Sequence, residues 1–245
     1  MAEGITYARP PIVEALLDIH VCLPESFSLE SLLKCQQKVK KDYPKRTNAQ
    51  AIKGEITFGP KLSTSASSEP AGYIFASDDG KQVFQAKRTG FTFNRLAPYP
   101  GWDGFFGEAK RLWEEYRRIT RPTGGYSRLA LRYINRFDFP TPGILMEDYF
   151  RTYVEVSRDL PQVMEGCFVQ FSVPMDDILS TATITKTMAN PIIPGHCSVI
   201  LDIDLYRTES LPTGAGLWEV FEKLRDGKSR IFEACLTDKL REMIR

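Results

Sequence analysis

The chain has 245 residues, 42% hydrophobic and 26% charged, with 32 Lys and Arg against 31 Asp and Glu for a formal charge of +1 at pH 7. That length can bury one large core or two of ordinary size, and the balanced composition excludes collagen-like, disordered and disulfide-scaffold classes. No apolar run approaches the ~20 residues of a membrane span. Residues 1–4 carry no basic leader start, and Glu14 and Asp18 interrupt the first apolar stretch, so a cytoplasmic protein is expected.

Along residues 13–24, Val13, Ala15, Leu17, Ile19, Val21 and Leu23 alternate with Glu14, Leu16, Asp18, His20 and Cys22. Period two over a dozen residues predicts a strand with one buried face, and Pro24 marks its exit. Residues 28–44 predict an amphipathic helix with Leu29, Leu32, Leu33 and Val39 on its stripe and Glu30→Lys34 as an i,i+4 pair. Lys34, Lys38, Lys40, Lys41, Lys45 and Arg46 crowd the same region. Three strands are expected at 51–59, 72–77 and 82–96, with Asp78-Asp79-Gly80 as a hairpin turn and 61–71 as a flexible polar loop. Residues 98–106 read as an aromatic loop entering a helix, with Asp103 as N-cap; exposed aromatics there would suit a partner.

The chain then repeats itself. Residues 129–140 match 13–24 at an offset of 116, alternating through Leu129, Leu131, Tyr133, Phe137 and Phe139 and broken only by Asn135. Residues 145–161 match 28–44 at an offset of 117, predicting a helix with Met146, Tyr149, Phe150, Tyr153 and Val156 inward and Glu147→Arg151 outside. Strands are expected at 167–173, 180–188 and 197–206, and the final helix carries Leu217-Trp-Glu-Val-Phe-Glu-Lys223 against Leu112-Trp-Glu-Glu-Tyr-Arg-Arg118. The expected fold is α+β: a β-α-β-β-β-α module written twice, over 1–125 and 126–245. Its sheets would be antiparallel with helices on one face, the copies meeting about a pseudo-two-fold.

Strand parity assigns the helix-free face its side chains: Asp18 and His20 from the first strand, Arg132, Arg136 and Asp138 from its repeat, and Asp202, Asp204 and Tyr206 from the last. A mixed polar face suits a ligand or partner groove, though antiparallel sheets commonly leave such a face simply wet. His20 with Asp18 and an arginine would be the best acid/base constellation. Asp202 and Asp204 share a strand face that can hold a divalent cation, yet lack the further ligands a site needs. The five cysteines (Cys22, Cys35, Cys167, Cys197 and Cys235) include no C-x-x-C pair and read as free thiols. The two histidines do not assemble a zinc ligand set. Phosphate-loop, dinucleotide, nucleophile-elbow and H-E-x-x-H motifs are absent. No catalytic residue, metal or cofactor is therefore assigned.

Three stretches, Pro10-Pro-Ile-Val-Glu-Ala15, Leu131-Arg-Tyr-Ile-Asn-Arg136 and Ile231-Phe-Glu-Ala-Cys-Leu-Thr-Asp238, resemble a sporadically distributed, uncharacterised family of bacterial proteins of this length. The resemblance implies an accessory role of the defence or toxin–antitoxin kind and carries no catalytic residues. At fold level the doubled module is similar to TATA-binding-protein-like saddles and gyrase-inhibitor-like effector-binding domains, an analogy that does not fix function. The leading expectation is a non-enzymatic binding module for a protein partner or small ligand, with a homodimer allowed by open strand edges. The alternatives are a small-molecule sensor and an RNA-binding protein or metal-independent nuclease using His20 with Arg132 and Arg136 and the basic segment of Lys34, Lys38, Lys41 and Arg46.

Overall fold

The computed structural model describes residues 7–57, 63–162, 164–212, 214 and 216–245, with backbone alone for 52–57 and 63–67. Nine strands in mostly antiparallel sheet, with a few helices, make the chain α+β. No helix among the described residues is long and apolar enough to cross a membrane. The strands are β1 (Ile12–Val21), β2 (Lys45–Thr57), β3 (Ser63–Ala76), β4 (Gln82–Lys87), β5 (Gly90–Leu96), β6 (Tyr126–Phe139), β7 (Phe168–Met175), β8 (Ser180–Ala189) and β9 (Cys197–Arg207). The α-helices are α1 (Trp102–Thr120), α2 (Met146–Tyr149), α3 (Gly216–Cys235) and α4 (Asp238–Ile244).

The chain divides into two compact units. The smaller holds Asp18–Arg95 and Pro100–Ser127; the larger holds the described residues up to Leu17, Leu96–Tyr99 and Arg128–Arg245.

In the smaller unit β2, β3, β4 and β5 form an antiparallel meander. The Val21 amide donates to the Thr89 carbonyl (3.0 Å), tying β1 to the start of β5. Gly90 makes this seam possible: its φ is +150°, and a Cβ there would stand 2.2 Å from the Ile19 carbonyl oxygen. Helix α1 follows the 3.6-residue period, burying Phe105, Phe106, Ala109, Leu112, Trp113 and Tyr116. Trp113 meets Phe91 edge-on at 5.8 Å, and Phe105 stacks on Phe93 at 5.4 Å. On its outer side Glu108–Arg111, Glu114–Arg117 and Glu115–Arg118 pair three residues apart.

In the larger unit the strand order is β6-β9-β8-β7, antiparallel throughout. Leu129, Leu131, Tyr133 and Phe137 of β6 and Val199, Leu201, Ile203 and Leu205 of β9 are buried. Helix α3 packs there closely because Gly227 lacks a side chain: a Cβ would lie 2.8 Å from a Leu205 methyl and 2.7 Å from an Ile178 methyl. Buried Asn135 interrupts the apolar row without being orphaned, since its amide donates to the Leu201 carbonyl at 3.1 Å.

Several local expectations are corrected. Residues 28–44 form a 3-10 helix over Leu29–Gln36 followed by turns. The 29/32/35 spacing of Leu29, Leu32 and Cys35 suits a three-residue turn, and the Gln36 side chain donates to the Tyr43 carbonyl at 2.6 Å, holding the chain end down. The second expected helix shrinks to α2, because Phe150 turns extended and bridges Leu236 while the Arg151 amide donates to the Cys235 carbonyl. Tertiary pairing overrides propensity there. Arg151 consequently lies outside the helix, and Tyr153 is exposed. The expected polar loop is largely strand, since β3 begins at Ser63; Lys61 and Leu62, like Phe58, Gly59 and residues 1–4, lie outside the described residues. The single strand at 82–96 is two, β4 and β5, paired with each other. Gly101, not Asp103, caps α1, and Trp102, Phe105 and Phe106 are buried rather than offered to a partner.

Candidate functional site

In the smaller unit the side of β1 and β5 opposite α1 carries Asp18, His20, Thr92 and Asn94. The His20 Nε2 lies 2.8 Å from Asp18 Oδ2, and the Thr92 hydroxyl donates to Asp18 Oδ1 at 2.6 Å. Burial pushes the Asp18 carboxyl up, and the bonds from His20 and Thr92 outweigh it, so the group titrates below the usual carboxylate range. The Gln85 amide donates to Asn94 Oδ1 at 3.1 Å on the same side. Both arginines expected as cationic stabilisers have carboxylate partners of their own, described next.

In the larger unit β6 presents Arg128, Arg132 and Arg136 at four-residue spacing on the side opposite its apolar row. Arg128 Nη2 donates to Asp204 Oδ2 at 2.7 Å, its guanidinium 4.8 Å from the centre of the Tyr206 ring. Arg132 grips Asp202 with Nε (2.8 Å) and Nη2. Arg136 Nε reaches Asp138 at 2.9 Å while Nη2 donates to the Ser198 hydroxyl (2.8 Å) and the Asn190 carbonyl (2.9 Å). Ser198 in turn donates to Asp138 at 2.5 Å. The reach is diagonal, because in the β6–β9 register Arg132 stands opposite Asp204 and Ile134 opposite Asp202. Half-exposed Thr181, Thr183, Thr185 and Thr187 of β8 continue this face, and Asp202 and Asp204 are neutralised on it by arginine. Among the described residues, no cluster of three or more His, Cys, Asp or Glu could hold a metal ion.

At the Arg136 end of the ladder lies an open cleft of about 360 Å3, lined by Arg9, Pro11, Arg136, Phe137, Asp138, Pro140, Met243 and Ile244. Its walls are pinned where the Arg9 amide donates to the Ile244 carbonyl (3.0 Å) and the Arg136 amide to the Pro11 carbonyl (2.8 Å). The cleft combines guanidinium groups, one carboxylate and an apolar lining, with Arg136 held rigid by three acceptors.

Lys34, Lys38, Lys41 and Arg46 are all exposed in the smaller unit. Lys38 stands 3.5 Å from Glu115, and neighbouring Asp42 is engaged by Arg111 at 3.1 Å.

Sequence reasoning singles out neither Arg128 nor Ser198, although the spacing of Arg128, Arg132 and Arg136 was available as a signal. Arg9 and Met243 reach the cleft only through folding. Lys228 of α3 carries no sequence signal either: its Nζ sits 4.2 Å from the Tyr133 ring centre, and burial, with Arg225 nearby, pushes its ammonium down to about 8.

No family model matches the chain, and no curated protein is similar to it. The motif resemblance therefore rests on residues 10–15, 131–136 and 231–238 alone. Among solved structures, DynU16, a protein of the dynemicin biosynthetic locus, is similar at 9% identity over 96% of this chain and 99% of that one, with a TM-score of 0.21. A likeness of that size carries no inference.

Proposed function

We propose that the protein is a non-enzymatic binding module whose larger unit receives a protein segment or small ligand on its helix-free face, with the cleft beside Arg136 as the anchoring point. The observation that carries this reading is the Arg128–Arg132–Arg136 ladder, locked by Asp204, Asp202 and Asp138, running into a cleft that joins charge to apolar surface. Rigid, already paired guanidinium groups cost little ordering entropy when a ligand arrives, and the mixed lining suits a segment carrying an anionic group beside an apolar one.

Screening the purified protein on a peptide array tests the reading: binders retained by the wild type should be lost by Arg136→Ala. Turnover of nucleotides or nucleic acid by the purified protein, abolished by His20→Ala, would overturn it.

A second reading, RNA binding, is favoured by the exposure of Lys34, Lys38, Lys41 and Arg46 on one short stretch. It requires retention of RNA that falls steeply with added salt and weakens in Lys34→Ala/Lys41→Ala; a flat salt response rejects it. A small-molecule sensor would instead show a ligand-dependent rise in Tm.

Two modules, 1–125 and 126–245, are proposed to share one ancestry. Support comes from the meander closing beside the first strand in each unit, β9 on β6 and β5 on the Asp18–Val21 end of β1. The extra strand in the first half weighs against it, as does the common Leu-Trp-Glu signature, which falls late in α1 and at the very start of α3. The accessory role in defence or toxin–antitoxin systems, and the cytoplasmic setting, belong to the same proposal through the motif resemblance and the free cysteines.

A further inference from the structure

The larger unit's strand order ends on β7. An edge strand presents unpaired amides and carbonyls, and natural proteins blunt such edges with lysine, inward charge, proline or extreme shortness. Strand β7 uses almost none of these devices. Its eight residues, Phe168–Met175, contain no charge, and the one proline, Pro174, stands next to its end. Neighbouring β8 buries alternate residues from Ser180 to Lys186, whereas β7 buries none. Phe168 is 69% exposed, and on the helix side Val169, Phe171, Val173 and Met175 form an apolar row that is only half-covered.

We propose that β7 is a self-association edge: two copies of this chain pair β7 with β7, antiparallel, about a two-fold axis perpendicular to the sheet. Two features favour a second copy over another occupant. A charge-free strand laid against itself opposes no like charges, whereas a charged peptide would find no counter-charge along it. A second copy also brings an apolar row of equal length, Val169, Phe171, Val173 and Met175, to the same side of the joined sheet. With the axis through Phe171, Gln170 faces Ser172 of the other copy, both exposed on the polar side.

The test is sedimentation equilibrium of the wild type and of Gln170→Lys/Ser172→Lys, which sets like charges across the pair on a solvent-facing side. The wild type should show a reversible monomer–dimer equilibrium, weakened at least about tenfold in the variant with its Tm retained. Amide exchange across residues 168–175 of the wild type, slowing as protein concentration rises, provides a readout that needs no variant. A wild type that stays monomeric at hundred-micromolar concentration, a dimer unaffected by the two lysines, or exchange independent of concentration would each overturn the assignment. Capture of an extended peptide at β7 by monomeric protein would replace it with strand addition by a different partner.

Discussion

The helix-free sides of the two units start from the same strand alternation and end in different chemistry. In the smaller unit the side is nearly neutral: one carboxylate, Asp18, is served by an imidazole and a hydroxyl, and an amide pair sits alongside. In the larger unit three arginines are crossed with three aspartates. Period two specifies which residues leave the core; the identities at those positions decide whether the result is a quiet hydrogen-bonded surface or a charged lattice. A lattice whose guanidinium groups are held in place by aspartates and still stay partly exposed is the physical basis for the proposal that binding belongs to the larger unit.

Substitutions can break or sharpen that contrast. The largest effect belongs to the smaller unit's seam. Gly90→Ala forces a Cβ into the Ile19 carbonyl at a φ that side chains rarely adopt, and should cost about 3 kcal/mol or more, lowering Tm by roughly 6–12 °C. Amide exchange should rise in β5 and β1 and stay unchanged in β9; uniform loosening would show that the two faces are not independently supported.

Next comes an asymmetry within the lattice. Asp202 is 13% exposed at its side chain and Arg132 44%. Arg132→Ala strands a mostly buried carboxylate and should cost about 2–3 kcal/mol, whereas Asp202→Ala leaves an arginine free to turn to solvent, at about 1 kcal/mol. Urea denaturation of both variants measures the difference, and equal losses would mean that solvent reaches both partners alike.

Lys228 is expected to act in the opposite direction. Its ammonium is pushed down to about 8 by burial, against about 10.4 in the unfolded chain. The folded state therefore binds fewer protons between those values, and the penalty is complete below about pH 8 and relieved as pH rises through the window. Lys228→Met should stabilise the protein by about 1–2 kcal/mol at pH 7, with the gain fading above pH ~10. A loss at pH 7 would show that the contact with the Tyr133 ring outweighs desolvation.

The smallest expected effect is at Asp18. Its folded carboxyl titrates below the ordinary range, so its contribution is present at neutral pH and lost as pH falls through the folded value. Asp18→Asn should cost about 1 kcal/mol at pH 7 and converge with the wild type in strong acid. A gap in Tm that persists unchanged to pH 2 would remove the carboxylate from the account.

Much of the β framework is legible from residue order. Strands β1, β6 and β8 follow the alternation closely, because each buries one side and leaves the other partly exposed, whereas β9 also buries Ser198 and Asp202 on its polar side. The two shorter helices that the sequence leads one to expect do not form as read. Residues 28–44 and 145–161 carry helical periodicity, yet Gln36 bonding to Tyr43 and Phe150 bridging Leu236 take their chains elsewhere. The strand character of 63–71 is equally hidden, because its serines show no hydrophobic period and the strand exists through its pairing with β2. At the candidate site, parity assigns Arg132, Arg136, Asp202 and Asp204 to one side, but the diagonal partnering depends on inter-strand register.

The amino-acid order by itself determined the α+β class, the two long helices and the facing of the main strands, since these follow from periodicity over neighbouring residues. Tertiary structure alone decided the cleft, the pairing of Arg128 with Asp204 and of Arg132 with Asp202, and the place of β7 at the end of the strand order. Each joins residues far apart in the chain, and local pattern holds no record of which distant carbonyl, carboxylate or strand a side chain will meet.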